Sequence, residues 1–271
     1  MTRIAVLQMT AGIEPAANAR TIQDAIGEAA AGGAEMLFTP EMSGLLDRDR
    51  MRALRNIVAE ERDPVLMTVR EAAAHHRIWV AIGSLAVLRE GGRLANRSLV
   101  IDSEGEIAAR YDKMHMFDVD LSGGESWRES NAYEPGDRVV TTDTPVGRLG
   151  MTVCYDIRFP ALFEKLGQRS CDAIAIPAAF TVPTGKAHWH LLQRARAVEA
   201  SAWVIAAAQM GRHQDGRTTY GHSLVVDPWG EVVLDMGGDV AGLGFAEIDP
   251  ARTAEVRGQL PSLANRRPIL N

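Results

Sequence analysis

Short runs of consecutive apolar residues alternate along the first half of the chain with longer segments in which apolar residues recur every three or four positions. The runs at residues 4–7, 36–38 and 79–88 are typical of buried strands. The segments at 16–31 and 64–76 are typical of amphipathic helices. Because strands that alternate with helices usually pair in parallel, this pattern predicts βαβ units.

Two more strand-like runs and a long polar segment follow these units. A Glu-Gly-Gly turn at 90–92 precedes the runs 94–101 and 106–110, which predicts an antiparallel hairpin. Residues 114–138 are mostly polar, and a loop of this length in a compact protein usually has a function.

The second half follows the same plan as the first. Its strand-like runs and helices are predicted at 149–153, from 160, at 173–176, near 187–202, and at 203–208, 223–226 and 232–234. A turn at 228–230 joins the last two strands, which predicts an antiparallel pair. No linker separates the halves, so we predict a single domain, residues 1–271, with a two-sheet core covered by helices.

Charge and cysteine content exclude several classes of partner and location. The 29 Lys and Arg against 35 Asp and Glu give a formal charge of −6, so neither nucleic acid nor a membrane surface is an expected partner. No apolar stretch approaches the roughly 18 residues of a spanning helix, and the N-terminal run is too short for a secretion signal. Two cysteines cannot form a disulfide framework, which favours a cytoplasmic location.

Four ionisable side chains occupy positions that suit chemistry. Glu41, Lys113 and Cys154 each follow a strand-like run directly, and Glu129 lies in the long polar segment. Strand ends line the ligand crevice of α/β sheets, so these side chains are expected to converge. A single Cys, Lys or Glu is more often structural or solvated, and only the combination favours catalysis.

The two cysteines differ in their surroundings. Pro160 suits an early helix position, so the chain is predicted to turn from strand to helix after Cys154. A nearby helix N-terminus would favour the thiolate form of Cys154. Cys171 lacks such a setting, and we interpret it as structural.

No motif for a metal ion or a nucleotide is evident in the sequence. The chain has neither a Gly-rich phosphate loop nor a His-Glu-x-x-His helix, and its neighbouring histidines do not share a helix face. We therefore expect no cofactor and no metal. Arg194 and Arg196 are interpreted as a solvated or salt-bridged helix face.

Four motifs stand in order along the chain: TPE at 39–41, YDKMHMFD at 111–118, WRES at 127–130 and GMTVCYDIRFP at 150–160. Together they resemble the carbon-nitrogen hydrolase (nitrilase) superfamily over nearly the whole length. The downstream segments are similar to its Nit branch, namely PAAF at 177–180, GKAHW at 185–189, RARAVE at 194–199, AAQMGRH at 207–213 and YGHSLVVDPWG at 220–230.

The resemblance implies an α/β fold, a four-layer α-β-β-α sandwich. It also implies that two chains pair through helices into a homodimer, or that more chains form a higher homo-oligomer. It implies that Cys154 is the nucleophile, Glu41 the general base and Lys113 the electrostatic partner, with Glu129 as a supporting carboxylate. A cysteine that forms an acyl-thioester splits amide hydrolysis into two easier steps. Lys113 and the backbone N–H of Tyr155 would hold the oxyanion, and a desolvated Glu41 is expected to have a raised pKa.

The same resemblance implies a small-molecule amide substrate whose acyl half ends in a carboxylate. We expect Arg158 to bind this carboxylate, with Phe180 and Thr184 beside it, unless Arg158 only ties down its turn through Asp156 or a backbone carbonyl. The favoured substrate is deaminated glutathione, cleaved to 2-oxoglutarate and cysteinylglycine. The cations predicted for the leaving group, all in presumed loops, are Lys186, Arg212 and Arg217.

Other functions stay open at this point. They are hydrolysis of 2-oxoglutaramate or another short carboxylate amide, true nitrilase activity, and a catalytically silent interaction module. A Cys–His mechanism that joins Cys154 to His115 or His222 is a further alternative.

Overall fold

Strands and helices follow each other in an order close to that predicted. The computed structural model describes residues 1–120, 124 and 126–268. Its α-helices are α1 (Pro15–Ala31), α2 (Arg50–Ala53), α3 (Pro64–His76), α4 (Pro160–Gln168), α5 (Val182–Ala200) and α6 (Pro250–Gln259). Its strands are β1 (Thr2–Gln8), β2 (Met36–Phe38), β3 (Trp79–Leu88), β4 (Leu94–Ile101), β5 (Ile107–Asp112), β6 (Asp118–Asp120), β7 (Ser126–Arg128), β8 (Thr141–Thr144), β9 (Gly147–Met151), β10 (Ala173–Ala175), β11 (Trp203–Ala206), β12 (Met210–Arg212), β13 (Thr218–Tyr220), β14 (Leu224–Val226), β15 (Val232–Asp235) and β16 (Gly242–Ile248).

Two six-stranded sheets share one strand plan. The first has the order β16-β1-β2-β3-β4-β5, and the second has the order β15-β14-β11-β10-β9-β8. In the first sheet β1, β2 and β3 are parallel, in the second β9, β10 and β11 are parallel, and antiparallel strands border both sets. The prediction that the two halves follow the same plan is therefore confirmed.

Successive residues of the first sheet face two different cores. Ile4 and Val6 of β1 belong to a core that the second sheet shares, whereas Ala5 and Leu7 belong to a core shared with α1 and α3. Helices α4 and α5 pack on the second sheet, where Trp189 is fully buried. The layers form the α-β-β-α sandwich that the resemblance implies.

Proline and aspartate define where helices begin. A proline occupies the first or second position of every helix longer than one turn in the described residues, where no N–H donor is needed. The Asp63 carboxylate accepts hydrogen bonds from the backbone of Val65 and Leu66 and so caps α3. Helix α5 begins at Val182, five residues before the predicted start, because Pro183 suits its first turn.

The polar segment 114–138 is not an uninterrupted loop. Strands β6 and β7 pair within it, and an ion pair joins Asp120 to Arg128 across the hairpin, while residues 121–123 and 125 lie outside the described residues. Both strands are short and polar, so no apolar pattern predicts them. Strands β8, β12 and β13 and helices α2 and α6 were missed for the same lack of an apolar run, and β16 was also missed, because glycines interrupt its apolar residues. Within the described ranges, no helix combines the length and apolar character needed to cross a membrane.

Gly83 permits the close approach of β3 to the turn after β2. A Cβ atom at this position would lie 2.1 Å from the Thr39 carbonyl oxygen and 2.4 Å from the Pro40 carbonyl. We expect Gly83→Ala to lower the free energy of unfolding by about 3 kcal/mol, because rigid backbone must move apart. Urea denaturation measures this.

Gly258→Ala is the matched control, since its Cβ would meet no atom within 4 Å and it lies in α6. This variant should be neutral or more stable by up to about 1 kcal/mol. Equal unfolding free energies for the two variants would contradict the packing argument.

Candidate active site

A cavity of ≈ 370 Å³ opens where segments that follow β2, β5, β9 and β10 meet. The residues predicted for catalysis and for the acyl half of the substrate all line this cavity, namely Glu41, Lys113, Glu129, Cys154, Tyr155, Arg158, Phe180 and Thr184. The cavity volume is typical of a site for a small organic molecule.

Glu41 lies in a tight turn that hydrogen bonds hold against β3. The Met42 N–H donates to Ser84 Oγ at 2.9 Å, and the Ser84 N–H donates to the Pro40 carbonyl at 3.3 Å. Met42 adopts a left-handed backbone with φ of +54°, which non-glycine residues adopt only when the surroundings impose it. From the segment that follows β10, the Ala179 N–H donates to Glu41 Oε2 at 3.0 Å. The carboxylate is therefore fixed from two sides.

Cys154 begins a 3-10 turn that follows β9. Its φ is +49°, again left-handed, and its N–H donates to the Pro177 carbonyl at 2.8 Å. The Asp156 carboxylate closes the turn by accepting from the Val153 N–H at 2.9 Å and from the Tyr111 hydroxyl at 2.7 Å. This strained and anchored turn directs the thiol into the cavity.

Arg196 supports the same turn from α5. Its Nε donates to the Ile157 carbonyl at 2.7 Å, its guanidinium pairs with Glu199, and the residue is only 4% exposed. The interpretation of Arg196 as solvated is therefore wrong, because the turn buries it, while the salt-bridged alternative holds. Arg194 instead donates to the Gly230 carbonyl at 2.7 Å.

The Lys113 ammonium lies between two carboxylates. Its Nζ is 2.9 Å from Glu41 Oε1 and 2.8 Å from Glu129 Oε2, and the residue is 2% exposed. Glu129 is itself held by the Phe117 N–H, which donates to Oε2 at 2.7 Å. Glu41, Lys113 and Glu129 thus form one cluster at the cavity, and the Cys154 thiol joins it through a hydrogen bond to Glu41.

Asn96 also belongs to this cluster, although it was not among the residues predicted from the sequence. Its Nδ2 donates to Glu41 Oε1 and to Glu129 Oε1, each at 3.0 Å, and its backbone carbonyl accepts from the backbone N–H of Lys113 at 2.9 Å. A lone amide within the apolar run of β4 is the signal that could have indicated this role.

The charges of the cluster settle the resting protonation states. Burial alone would lower the pKa of Lys113, but the Glu129 and Glu41 carboxylates raise it well above its usual value. Burial alone would raise the pKa of Glu41, but the Lys113 ammonium and hydrogen bonds from Cys154 and Asn96 lower it. The expectation of a raised pKa for Glu41 is wrong, because it counted desolvation and left out the lysine.

Cys154 rests as a neutral thiol. Burial raises its pKa well above the usual value, and the Glu41 carboxylate raises it further, whereas the Lys113 ammonium only partly opposes this. The expectation that the turn favours a thiolate is therefore wrong. Glu41 is the anion beside the thiol and the acceptor available for its proton.

The remaining predicted residues lie around the cavity wall. Arg158 stacks over the rings of Tyr155 and Phe180, at 5.9 Å and 5.6 Å, and its guanidinium contacts His188 Nδ1 at 3.4 Å. In the described part of the chain no carboxylate lies within 4 Å of Arg158, so the suggested pairing with Asp156 does not occur. The Tyr155 N–H has no acceptor outside its own turn among the described residues.

Only one of the cations predicted for the leaving group lines the cavity. Lys186 lies within α5, not in a loop, and Arg212 is exposed at the end of β12, both outside the cavity. Arg217 lines the cavity, but it is paired with Asp215 at 2.7 Å. Arg48, which the sequence analysis did not identify, also lines it.

Neither histidine of the Cys–His alternative lines the cavity. His115 Nδ1 lies 2.7 Å from Asp156 Oδ1 and its ring stacks on Phe159, while His222 Nδ1 lies 2.9 Å from Asp235. The geometry therefore favours Glu41 as the proton acceptor.

Residues 3–258 match the carbon-nitrogen hydrolase family. The chain belongs to this family. The deaminated glutathione amidase of Yersinia enterocolitica is 40% identical to this carbon-nitrogen hydrolase over 267 residues, which are 97% of this chain and 92% of that protein. The crystal structure of Caenorhabditis elegans NitFhit has a TM-score of 0.90 and 36% identity over 98% of this chain and 65% of that one.

An amidase from Nesterenkonia sp. AN1 is also similar to this carbon-nitrogen hydrolase. Its structure has a TM-score of 0.81 and 25% identity, covering 96% of this chain and 98% of the amidase. A Glu-to-Gln variant of that amidase carries acrylamide, joined by Michael addition, at its active-site cysteine. A solved relative thus has a reactive cysteine.

The resting thiol has a direct experimental signature. We expect the rate at which iodoacetamide alkylates Cys154 to rise with pH and to show no plateau below pH 9, because burial and Glu41 hold the pKa of Cys154 above its usual 9.0. Mass spectrometry of the labelled peptide measures this rate.

The Cys154→Ser variant gives the background labelling of Cys171, whose pKa burial raises to about 12. A plateau already reached near pH 7 would show a resting thiolate and contradict the protonation states above.

Proposed function

We propose that this carbon-nitrogen hydrolase is an amidase that cleaves deaminated glutathione through an acyl-thioester on Cys154. The observation that carries the proposal is the Cys154 thiol beside an ionised Glu41 and a buried Lys113 at one end of a cavity. The name of the Yersinia enterocolitica relative supports the choice of substrate.

Acylation begins with transfer of the Cys154 proton to Glu41 as sulfur attacks the amide carbonyl carbon. The Lys113 ammonium and the free Tyr155 N–H then donate to the oxyanion, and such a donor is typically worth about 3 to 4 kcal/mol. Collapse of the tetrahedral intermediate breaks the C–N bond. Glu41 returns the proton to the leaving nitrogen, which departs as an amine.

Deacylation repeats these steps with water as the nucleophile. Glu41 takes a proton from water, the hydroxide attacks the thioester carbonyl, and the C–S bond breaks. The proton then returns to Cys154 sulfur, which restores the thiol. Glu129 and Asn96 are positioning residues, since they hold Lys113 and Glu41.

We assign the acyl carboxylate of the substrate to Arg158. This guanidinium faces the cavity and, within the described ranges, lacks a carboxylate partner, so a substrate anion would meet an unneutralised cation. The planar guanidinium binds a carboxylate in a bidentate manner. Phe180 and Thr184 line the same wall and would contact the acyl chain.

We assign the terminal carboxylate of the cysteinylglycine leaving group to Arg48 and Trp127. The guanidinium groups of Arg48 and Arg217 lie 5.8 Å and 5.0 Å from the Trp127 ring. The Trp127 Nε1–H is buried beside the cavity and has no acceptor in the described part of the chain. Because Asp215 already neutralises Arg217, Arg48 is the one of these two cations over Trp127 that is left for an anion.

The assembly is proposed to be a homodimer or a higher homo-oligomer that pairs through helices. Leu191 and Val198 lie seven residues apart on α5 and are 67% and 43% exposed. Trp229 and Val233, near the turn between β14 and β15, are 47% and 49% exposed. An exposed apolar face of this kind is typical of a surface that a partner covers.

We also propose that residues 1–271 are one domain and that the protein is cytoplasmic. The core shared by both sheets supports the first proposal. The second rests on two free cysteines, since unpaired thiols are typical of the reducing cytosol, where disulfides are rare.

Product analysis tests the proposed activity. We expect kcat/KM for deaminated glutathione to exceed that for 2-oxoglutaramate at least about ten-fold, because the dipeptide adds a charged contact. Enzymatic detection of 2-oxoglutarate, cysteinylglycine and ammonia distinguishes the two reactions. Cys154→Ala should abolish both, whereas Cys171→Ala, which removes the other thiol, should retain them.

Each outcome of this assay has a definite meaning. A folded Cys154→Ala protein with near wild-type turnover would refute the mechanism. A preference for 2-oxoglutaramate would keep the mechanism and move the substrate to the primary amide, and carboxylate plus ammonia from a nitrile would indicate a true nitrilase.

The two arginines should act on opposite ends of the substrate. We expect Arg158→Lys to raise KM about ten-fold for both carboxylate substrates. The KM for butyramide, which lacks the carboxylate, should change little. Arg48→Gln should raise KM about ten-fold for deaminated glutathione alone. Steady-state kinetics on the three amides measures these effects.

Arg50→Gln is the control for Arg48, because Arg50 is an exposed cation that also lines the cavity but does not lie over Trp127. Equal losses for Arg48→Gln and Arg50→Gln would indicate a general charge effect. Equal losses on butyramide and the acidic substrates would assign Arg158 a structural role.

A further inference from the structure

Three potential metal ligands come together beside α5, away from the cavity. His190 lies on α5, His222 lies between β13 and β14, and Asp235 ends β15. His190 Nε2 is 2.8 Å and His222 Nδ1 is 3.2 Å from Asp235 Oδ2. One ligand atom from each residue therefore lies within 4.8 Å of the other two. None of the three residues lines the cavity.

The surroundings fix the directions of these side chains. His222 has a left-handed φ of +56°, and its ring stacks on Tyr220 with centroids 4.4 Å apart. The Trp189 Nε1–H donates to the His222 carbonyl at 2.8 Å. The Gly237 N–H donates to Asp235 Oδ1 at 2.9 Å, and His222 Nδ1 is also 2.9 Å from Oδ1, so His222 contacts both carboxylate oxygens while His190 contacts Oδ2. Partners of this kind orient metal ligands in proteins.

The donor set has a definite chemical preference. Two imidazole nitrogens and one carboxylate oxygen suit zinc and the neighbouring divalent transition metals. Ligand atoms of a tetrahedral zinc ion lie about 3.3 Å apart, so the two contacts to Asp235 Oδ2 would lengthen by at most about half an ångström, and the two imidazole nitrogens, which lie within 4.8 Å of each other, would adjust to the same spacing. The side chains are 25% to 37% exposed, which gives an ion and its water ligand access.

We propose that His190, His222 and Asp235 bind a divalent transition-metal ion. The ion would join the middle of α5 to β15 and to the segment before β14, and it would hold these three segments together. The proposal stands apart from the amidase reaction, because its ligands do not contact the cavity. The competing explanation is a cluster in which Asp235 only accepts hydrogen bonds from two imidazoles.

Zinc titration of the purified, metal-stripped chain tests this proposal. The parent is Cys154→Ala, because an active-site thiol itself binds zinc. The ligand variants are His190→Ala, Asp235→Asn and His222→Asn, the last because asparagine tolerates a left-handed backbone. His75→Ala is the matched control, since it removes an exposed imidazole from α3. Calorimetry gives affinity and stoichiometry, and the visible absorption of bound Co²⁺ reports the coordination geometry.

We expect one zinc ion per chain in the parent and in the control, a rise in Tm on zinc addition, and a loss of affinity of about 100-fold or more in each ligand variant. The Tm of each variant without zinc shows whether it is folded. Absence of saturable zinc binding in the parent, or equal affinity in the folded ligand variants, would overturn the proposal and leave a hydrogen-bonded cluster only.

Discussion

A lysine ammonium held between two buried carboxylates is the interaction on which the rest of the site depends. Moving an ammonium out of water costs several kcal/mol, which is offset only when anions and hydrogen bonds surround it. Lys113 lies within 3 Å of both Glu41 and Glu129, and backbone N–H groups of Ala179 and Phe117 hold those carboxylates in turn. One requirement for charge balance therefore fixes the ends of β2 and β5 and the segment after β7 relative to each other.

The packing of the two sheets completes this arrangement. Glu41 follows a strand of the first sheet, and Cys154 follows a strand of the second. Ala179 and Gln209, which follow β10 and β11, donate to the Glu41 carboxylate and to its carbonyl. Because both sheets follow one strand plan, the carboxyl ends of their parallel strands open at one cavity, and neither sheet alone contains both the base and the thiol.

The apolar pattern predicted the parallel strands and longer helices because a strand buried on both faces leaves a continuous apolar run. It did not predict β6 and β7, since an ion pair and backbone pairing hold these polar strands.

Among site residues, those in the motifs directly after strands were found. Asn96 and Arg48 were not, because their roles arise from contacts with residues far along the chain. The prediction of a raised pKa for Glu41 was wrong for the same reason, since its partner Lys113 is 72 residues away in sequence.

The same charge balance explains why a neutral thiol suits this site better than a resting thiolate. In the resting site Glu41 is ionised and Lys113 is protonated, while Cys154 is a neutral thiol. A resting thiolate would add a further buried anion beside Glu41 at a large desolvation cost. Transfer of the thiol proton to Glu41 during attack moves charge within the cluster without changing its total. The negative charge then passes to the substrate oxyanion, where the Lys113 ammonium is already in place, so each step proceeds without bringing a new charge into the buried site.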